Sequence, residues 1–194
     1  MADSSTGGYL LPAVTSPPLE DAALDAIFQQ MVVGITALPG NMVRPRWQPN
    51  PPKQPEPITN WCALGVTTQE LDAGPAIVHN PTGNGTDTYI RHQQIDVLCS
   101  FYGPNAKQYA QQLEDGLAIP QNLEQLKLSD MNCIETGQIR AAPDLINEQW
   151  IRRYDMAIVF RRKITRTYQV LNILTASGTV IASTPLTTTI NVTQ

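Results

Sequence analysis

Few side chains in this sequence do chemistry unaided, and their spacing limits what they can do together. The two histidines are His79, in the turn-rich run HNPTGNGTD, and His92, in the alternating run YIRHQQIDVLCSFYG. Asp96 shares a strand face with His92 but stands two pairs further on, roughly 13 Å at strand rise, which forbids a direct acid–base dyad. His92 therefore reads as a sheet-surface histidine, and replacing both histidines is expected to leave function intact. Gly83 and Gly85 could cradle an anion, but no helix start follows them, so a hairpin turn is the simpler reading. Glu114 and Asp115 are helix neighbours that point apart, which suits solvation. Cys62, Cys99 and Cys133 match neither a CxxC metal knuckle nor an even-numbered disulfide framework and read as reduced thiols. No nucleophile elbow, phosphate loop, dinucleotide fingerprint or HExxH helix occurs. The expectation is a protein that is not an enzyme and has no cofactor, metal or catalytic residue.

Cationic residues are more informative. Of the 13 Lys and Arg, six fall in one run: Arg152, Arg153, Arg161, Arg162, Lys163 and Arg166. Three readings stay open. The run is a solvated strand face, a stripe that meets an acidic partner such as a second copy displaying Glu20, Asp21 and Asp25, or a DNA-contacting stripe. A formal charge of -4 and 15% charged residues weigh against wholesale nucleic-acid binding and describe a sparsely charged surface that suits contact with other protein. At 194 residues the chain has one domain's length. No window approaches the apolar length of a membrane span and the N-terminus lacks an export pattern, so a cytoplasmic product with no membrane association is expected.

The elements that must hold these residues come in blocks. Residues 1–16 read as a flexible arm with a local apolar anchor, YLLP. From Pro17, Leu19, Ala22, Ala23, Ala26, Ile27, Met31 and Ile35 recur at helical spacing, and Leu38-Pro39-Gly40 ends that first helix. Trp61 to Leu71 alternates as a strand with little free polar face. The glycines of the HNPTGNGTD run then turn the chain into the strand that starts at Tyr89, whose apolar half lies towards its C-terminal end. Helical spacing resumes through Ala106, Tyr109, Ala110, Leu113 and Leu117, with a shorter helix after Pro120. A strand around CIETGQI follows. The run WIRRYDMAIVFRRKI then places Trp150, Arg152, Tyr154, Met156, Ile158, Phe160, Arg162 and Ile164 on one face and Arg153, Asp155, Val159, Arg161 and Lys163 on the other, one face core and the other wet. This order predicts an α+β fold, an antiparallel β-sheet with helices on one face, spanning residues 17–166.

Two segments stand outside that pattern. Residues 44–57, RPRWQPNPPKQPEP, hold six prolines, which removes backbone donors and makes the segment an extended strap barred from helix and central strand. It either clamps a neighbour, with Arg44, Arg46, Trp47 and the following Trp61 as contact residues, or wraps its own domain. Residues 167–194 carry no charged side chain and alternate Thr and Asn with Val, Ile and Leu. A bare edge of that composition invites aggregation, so this β-rich extension is expected to pair with its own sheet or with a neighbouring subunit.

The run ALPGNMVRPRWQPNPPKQP, followed by WCALGV, YIRHQQIDVLCSFYGPNA and WIRRYDMAIVFRR, resembles the tail or neck terminator family of long-tailed bacteriophages. The resemblance covers Leu19 to Leu174, and the strap is its most specific part. It implies a structural virion protein at the tail and neck junction that caps the tail tube as a homo-oligomeric, commonly hexameric ring. The ring would stop tube growth, face the head or neck connector protein, and let genomic DNA pass without specific binding. A head-completion or connector adaptor of the phage neck is the alternative. The interface residues this suggests are Arg44, Arg46, Trp47, Trp61, Arg152, Arg153, Arg161, Arg162, Lys163 and Arg166, with acidic residues that the sequence does not single out lining the lumen.

Overall fold

The apolar alternation of two long runs becomes two long strands, and the rest of the chain is arranged against them. The computed structural model describes residues 8–146, 148–173, 175–181 and 187–193. In chain order the elements are β1 (Val14–Thr15), α1 (Ala22–Thr36), a 3-10 turn (Gly40–Met42), β2 (Val43–Pro45), β3 (Trp61–Leu71), β4 (Ala76–Asn80), β5 (Thr86–Tyr102), α2 (Ala106–Leu117), α3 (Pro120–Lys127), β6 (Met131–Thr136), β7 (Arg140–Ala141), β8 (Asp144–Ile146), β9 (Gln149–Ile151), β10 (Arg153–Tyr168), β11 (Thr175–Ile181) and β12 (Thr187–Thr193). The fold mixes helices with a larger share of strand. No described helix is long and apolar enough to cross a membrane.

Contacts divide the chain into two units, and β5 and β10 contribute residues to both. The larger unit holds Ser16–Pro75 and Arg91–Ile164. Its strands run in the order β10, β5, β3, β2, with β6 and β7 also pairing β10. β3 and β5 pair antiparallel from Trp61↔Tyr102 to Leu71↔Gln93, with a bulge between Val66 and Thr68. β2 joins the far side of β3 in parallel, Val43↔Cys62 to Pro45↔Leu64. β8 and β9 form a separate antiparallel pair. Alternation sends Cys62 and Leu64 of β3, Ile95 to Phe101 of β5 and Met156 to Phe160 of β10 into one core, where they meet residues of all three helices. The Phe28 and Phe160 rings pack there at 4.9 Å.

The first helix differs from its sequence reading. It begins at Ala22, so Leu19 lies outside it and is 62% exposed. The buried set is Leu24, Phe28, Met31, Val32 and Thr36; of the alanine-rich stripe that spacing from Pro17 predicted, Met31 is buried and Ile27 and Ile35 pack partly buried against the core, while Leu19 and the alanines are not in the buried set. The larger side chains Leu24 and Phe28 bury more apolar area than those alanines, which decides which side of the helix turns inward. The long cationic run also differs at its start. Trp150, expected on the core face, sits in β9 outside the long strand and is 71% exposed.

In the smaller unit β4 pairs the start of β5, Ala76↔Ile90 to Asn80↔Thr86, closing the predicted turn hairpin. β1, from the expected arm, pairs β10 through Val14↔Thr167 and Thr15↔Arg166. β11 and β12 pair with each other in a two-stranded sheet, Thr175↔Thr193 to Ile181↔Thr187. Residues 1–7 of the arm and 174, 182–186 and 194 of the extension lie outside the described residues.

Arg162 lies on the inward face of β10, as its position in the alternation predicts, and is only 1% exposed. Its guanidinium donates to Glu20 Oε1 at 3.1 Å and to the Pro18 carbonyl, while Glu20 also accepts from Gln69 at 3.2 Å. Residues 18–20, which lead into α1, are thereby tied to β10 and β3. Arg162→Ala should lower unfolding stability by about 3 kcal/mol, because a buried pair is broken and its partners are left behind. Arg161→Ala, at the surface, should cost less than about 1 kcal/mol. Urea unfolding of the two variants measures the contrast.

Candidate functional site

The face opposite the main core carries a row of side chains across four strands. Trp61 of β3 and Tyr102 of β5 are direct cross-strand partners, and their rings stack at 4.2 Å with 8° between planes. Arg44 of β2 covers the Trp61 ring at 5.8 Å and Arg153 of β10 covers the Tyr102 ring at 5.6 Å. The order across the sheet is thus Arg, Trp, Tyr, Arg, and each guanidinium sits on an aromatic face where the ring quadrupole favours it. Arg153 is fixed further by a bidentate pair with Asp155, at 2.8 and 2.7 Å, and by Asp144 at 3.3 Å. The hydrogen bonds to Asp155 hold its guanidinium above the usual arginine range. Burial raises the Tyr102 phenol, so the row presents a neutral aromatic pair, Tyr102 buried and Trp61 half-buried, between two permanent charges.

The proline strap leaves the sheet beside this row. Arg44 Nε donates to the Asn41 carbonyl at 2.9 Å and Nη1 to the Lys53 carbonyl at 2.7 Å, drawing the start of the strap towards its middle. Arg46 reaches across to Ser100 Oγ. Trp47 is 72% exposed, and its ring lies over Gly65, where an added Cβ would stand 2.8 Å from Cζ3. A Cβ there would require the Trp47 ring to shift. Arg44, Trp47, Pro51, Pro52, Trp61 and Tyr102 line a cleft of about 400 Å³. Four residues singled out from the sequence, Arg44, Arg46, Trp47 and Trp61, are therefore one structural group, and Arg153 joins it through Tyr102. The sequence did not point to Tyr102 or Asp144, because strand register was needed to find them; Asp155 was legible as the same-face neighbour of Arg153.

The remaining cations do not form one stripe. Arg152 donates to the Pro104 carbonyl at 3.3 Å, at the same end as Arg153. Arg161 follows Arg153 by eight residues, roughly 26 Å along an extended strand. It pairs with Asp72 at 2.5 Å and, with Lys163, Lys127 and His92, lines a separate groove of about 800 Å³. Arg162 is in the core and Arg166 lies opposite Thr15 in the smaller unit. His92, read as a sheet-surface histidine, is a half-buried member of that groove.

His79 has partners that the sequence did not reveal. Its Nδ1 lies 2.6 Å from Asp87 Oδ1 and its Nε2 lies 2.6 Å from Asn172 Oδ1. Asn172 Nδ2 donates to the carbonyls of Pro81 at 2.6 Å and Gly83 at 3.2 Å, which fixes the amide orientation and leaves its oxygen facing the histidine. The Asn172 backbone N–H donates to the Asn84 carbonyl at 2.9 Å. Both ring nitrogens face acceptors, so the imidazolium is the form that satisfies both, and the hydrogen bond to Asp87 leads in raising the His79 pKa above its ordinary 6.5. Gly85, with φ 90, completes the turn where a Cβ would stand 2.5 Å from Asn172 Oδ1 and from the Val170 carbonyl. Because the folded value is raised, the contribution is complete below the unfolded value and is lost as pH rises through the folded one. The amide-exchange protection of Asn172 is expected to fall as pH rises past that raised value, after correction for intrinsic exchange. Gly85→Ala should remove the protection at every pH, and a pH-independent protection in the wild type would refute the account.

The three cysteines are free. Burial leads in raising the Cys62 thiol well above its ordinary range and also raises Cys133, which keeps both protonated and unreactive at neutral pH. No group of three His, Cys, Asp or Glu gathers as a metal site among the described residues. No curated protein matches the chain. Residues 22–184 match the family described as phage neck terminator protein, a span that includes α1, the strap, the cross-sheet row and the clamped turn. The chain belongs to the phage neck terminator protein family, structural proteins of the phage tail and neck that associate with other proteins of the virion.

Proposed function

We propose that the protein caps the tail tube as a ring, commonly of six copies, ends tube polymerisation and forms the surface that meets the head or neck connector. Membership of the neck terminator family across residues 22–184 is the observation that carries this reading. Capping works by binding alone. The surface docks onto the last ring of the tube and lacks the opposite face that would recruit another.

Ring closure needs two unlike patches of one chain in contact. The strap with Arg44, Arg46, Trp47 and Trp61 is one candidate patch, supported by the exposed Trp47 and by an extended segment that costs little entropy to order. Arg152 and Arg153 lie beside the strap patch, while the groove of Arg161 and Lys163, at the other end of β10, is the cationic candidate. Arg162 supports this patch from inside the core and does not itself reach a partner. Glu20 is held by Arg162 within the chain and is not the acidic counterpart. The β11–β12 hairpin is the third candidate, since a two-stranded hairpin alone is marginal in water and gains by pairing with a neighbour. A net charge of -4 favours passage of DNA without retention, because like charge removes the phosphate attraction.

Deleting the gene and measuring tails by negative-stain microscopy tests the role. Overlong or headless tails are expected. Normal tails on complete particles would refute it, and tailless heads beside normal free tails would assign the protein to the head side of the joint. The double variant Arg161→Glu, Lys163→Glu should fold and should weaken ring assembly most at low salt, as an electrostatic contact does. Assembly unchanged at low and high salt would remove this groove from the interface.

A further inference from the structure

β3 has one edge that its own sheet only half covers. Towards β5 it is paired along its whole length. On the other side β2 covers Cys62 to Leu64, and the last ladder bond is from the Arg46 N–H to the Leu64 carbonyl at 2.7 Å. The chain then turns away at Trp47, whose φ is 58, a conformation that disfavours bulky side chains. Pro49, Pro51 and Pro52 follow and have no N–H with which to resume pairing. Among the described residues no strand lies against Val66 to Leu71 on this side, and Thr67 to Leu71 are exposed.

A groove of about 960 Å³ runs along this open stretch, bounded by Val66 to Gln69, by Trp47 and by Asp21 and Asp25 at the start of α1. Its charge is left unanswered. Glu20 is taken by Arg162, and Arg46 is turned towards Ser100, while no cation pairs with Asp21 or Asp25 among the described residues. Burial and the neighbouring Asp21 charge raise the Asp25 carboxyl, the mark of a site that a cation would relieve.

We propose that the β3 edge from Val66 to Leu71 accepts an extended Lys- or Arg-bearing segment of another protein as an added strand. Main-chain hydrogen bonds to the edge hold the segment, and Asp21, Asp25 and the Trp47 ring select its cationic side chains. A second copy is a poor occupant. The cationic run of this chain lies in β10, whose neighbours already include β5, β6, β7 and β1, and its other basic segment is the strap, where proline removes the donors. The bulge beside Thr67 and the charge of Glu70 limit indiscriminate pairing at the same edge.

The test uses the full chain and an acetylated, amidated heptapeptide, Thr-Lys-Val-Arg-Thr-Lys-Val, followed by amide chemical shifts. Shifts in the Val66 to Leu71 amides and in the Trp47 indole are expected. The variant Asp21→Asn, Asp25→Asn should bind roughly tenfold more weakly, and the peptide with glutamate in place of its three basic residues should not bind. Two further peptides, N-methylated at alternate positions, separate main-chain from side-chain binding: one should lose affinity and the other keep it, since alternate amides of a strand face the neighbour. Silent Val66 to Leu71 amides, equal binding of both methylated peptides, equal binding of the glutamate peptide, or perturbations that instead track self-association of the chain would each overturn the proposal.

Discussion

A guanidinium removed from water must be satisfied where it lies, and Arg162 imposes that demand on the whole larger unit. Its position is fixed by the alternation of β10, which sends Met156, Ile158, Phe160 and Ile164 to the same face. The chain answers with the Pro18 carbonyl and the Glu20 carboxylate, so residues that precede α1 must cross to β10 before the helix starts. That constraint keeps residues 18–20 out of the helix, which begins at Ala22. It also removes Glu20 from the surface charge, and Asp21 and Asp25 are left as the acids beside the open edge of β3. One buried charge thus sets both a packing arrangement and the electrostatics of a groove.

The cross-sheet row works on the opposite face by a different principle. Trp61 and Tyr102 present their flat surfaces to each other, and the outer surfaces are closed by Arg44 and Arg153. Each guanidinium has a second duty, Arg44 to the carbonyls that shape the strap and Arg153 to Asp155 and Asp144. The geometry of the strap is therefore coupled to the register of the sheet beneath it. Aromatic faces covered in this way are closed to stacking with a nucleic-acid base, which accords with a net acidic chain and a contact made with protein.

How much of this was legible in the sequence depended on whether the information was local. β3 falls on Trp61 to Leu71 as read, α2 and α3 follow their helical spacing, and the even-numbered residues of β10 from Met156 to Ile164 are inward as alternation required. The start of the first helix was misplaced because proline and acids before Ala22 imitate a helix start, while a tertiary tie to Arg162 holds residues 18–20 out of the helix. Trp150 was assigned to the core because the alternation runs through it without a break, yet the strand does not. His79 looked like an ordinary turn residue because Asn172, its second partner, is 93 positions away. The strap residues were recognisable by composition, but their grouping with Tyr102 and Arg153 depends on which strands are neighbours.

A protein that stops a polymer, the role proposed above, has to accept a final contact without templating the next. The edge of β3 has the asymmetry that such behaviour requires. Its first half is already filled by β2, whose last residue is a proline with no N–H to donate and whose arginine side chain is engaged with the strap. Its second half is open but short, interrupted by a bulge and flanked by acids, so it admits a limited segment of defined charge. A longer, flatter and uncharged edge would pair more strongly and would also pair with copies of itself. The sequence features that produce the difference are small: a tryptophan in a left-handed conformation, prolines after it, and one extra residue in β3. Together they turn a continuous strand edge, which would propagate, into a receptor for one segment.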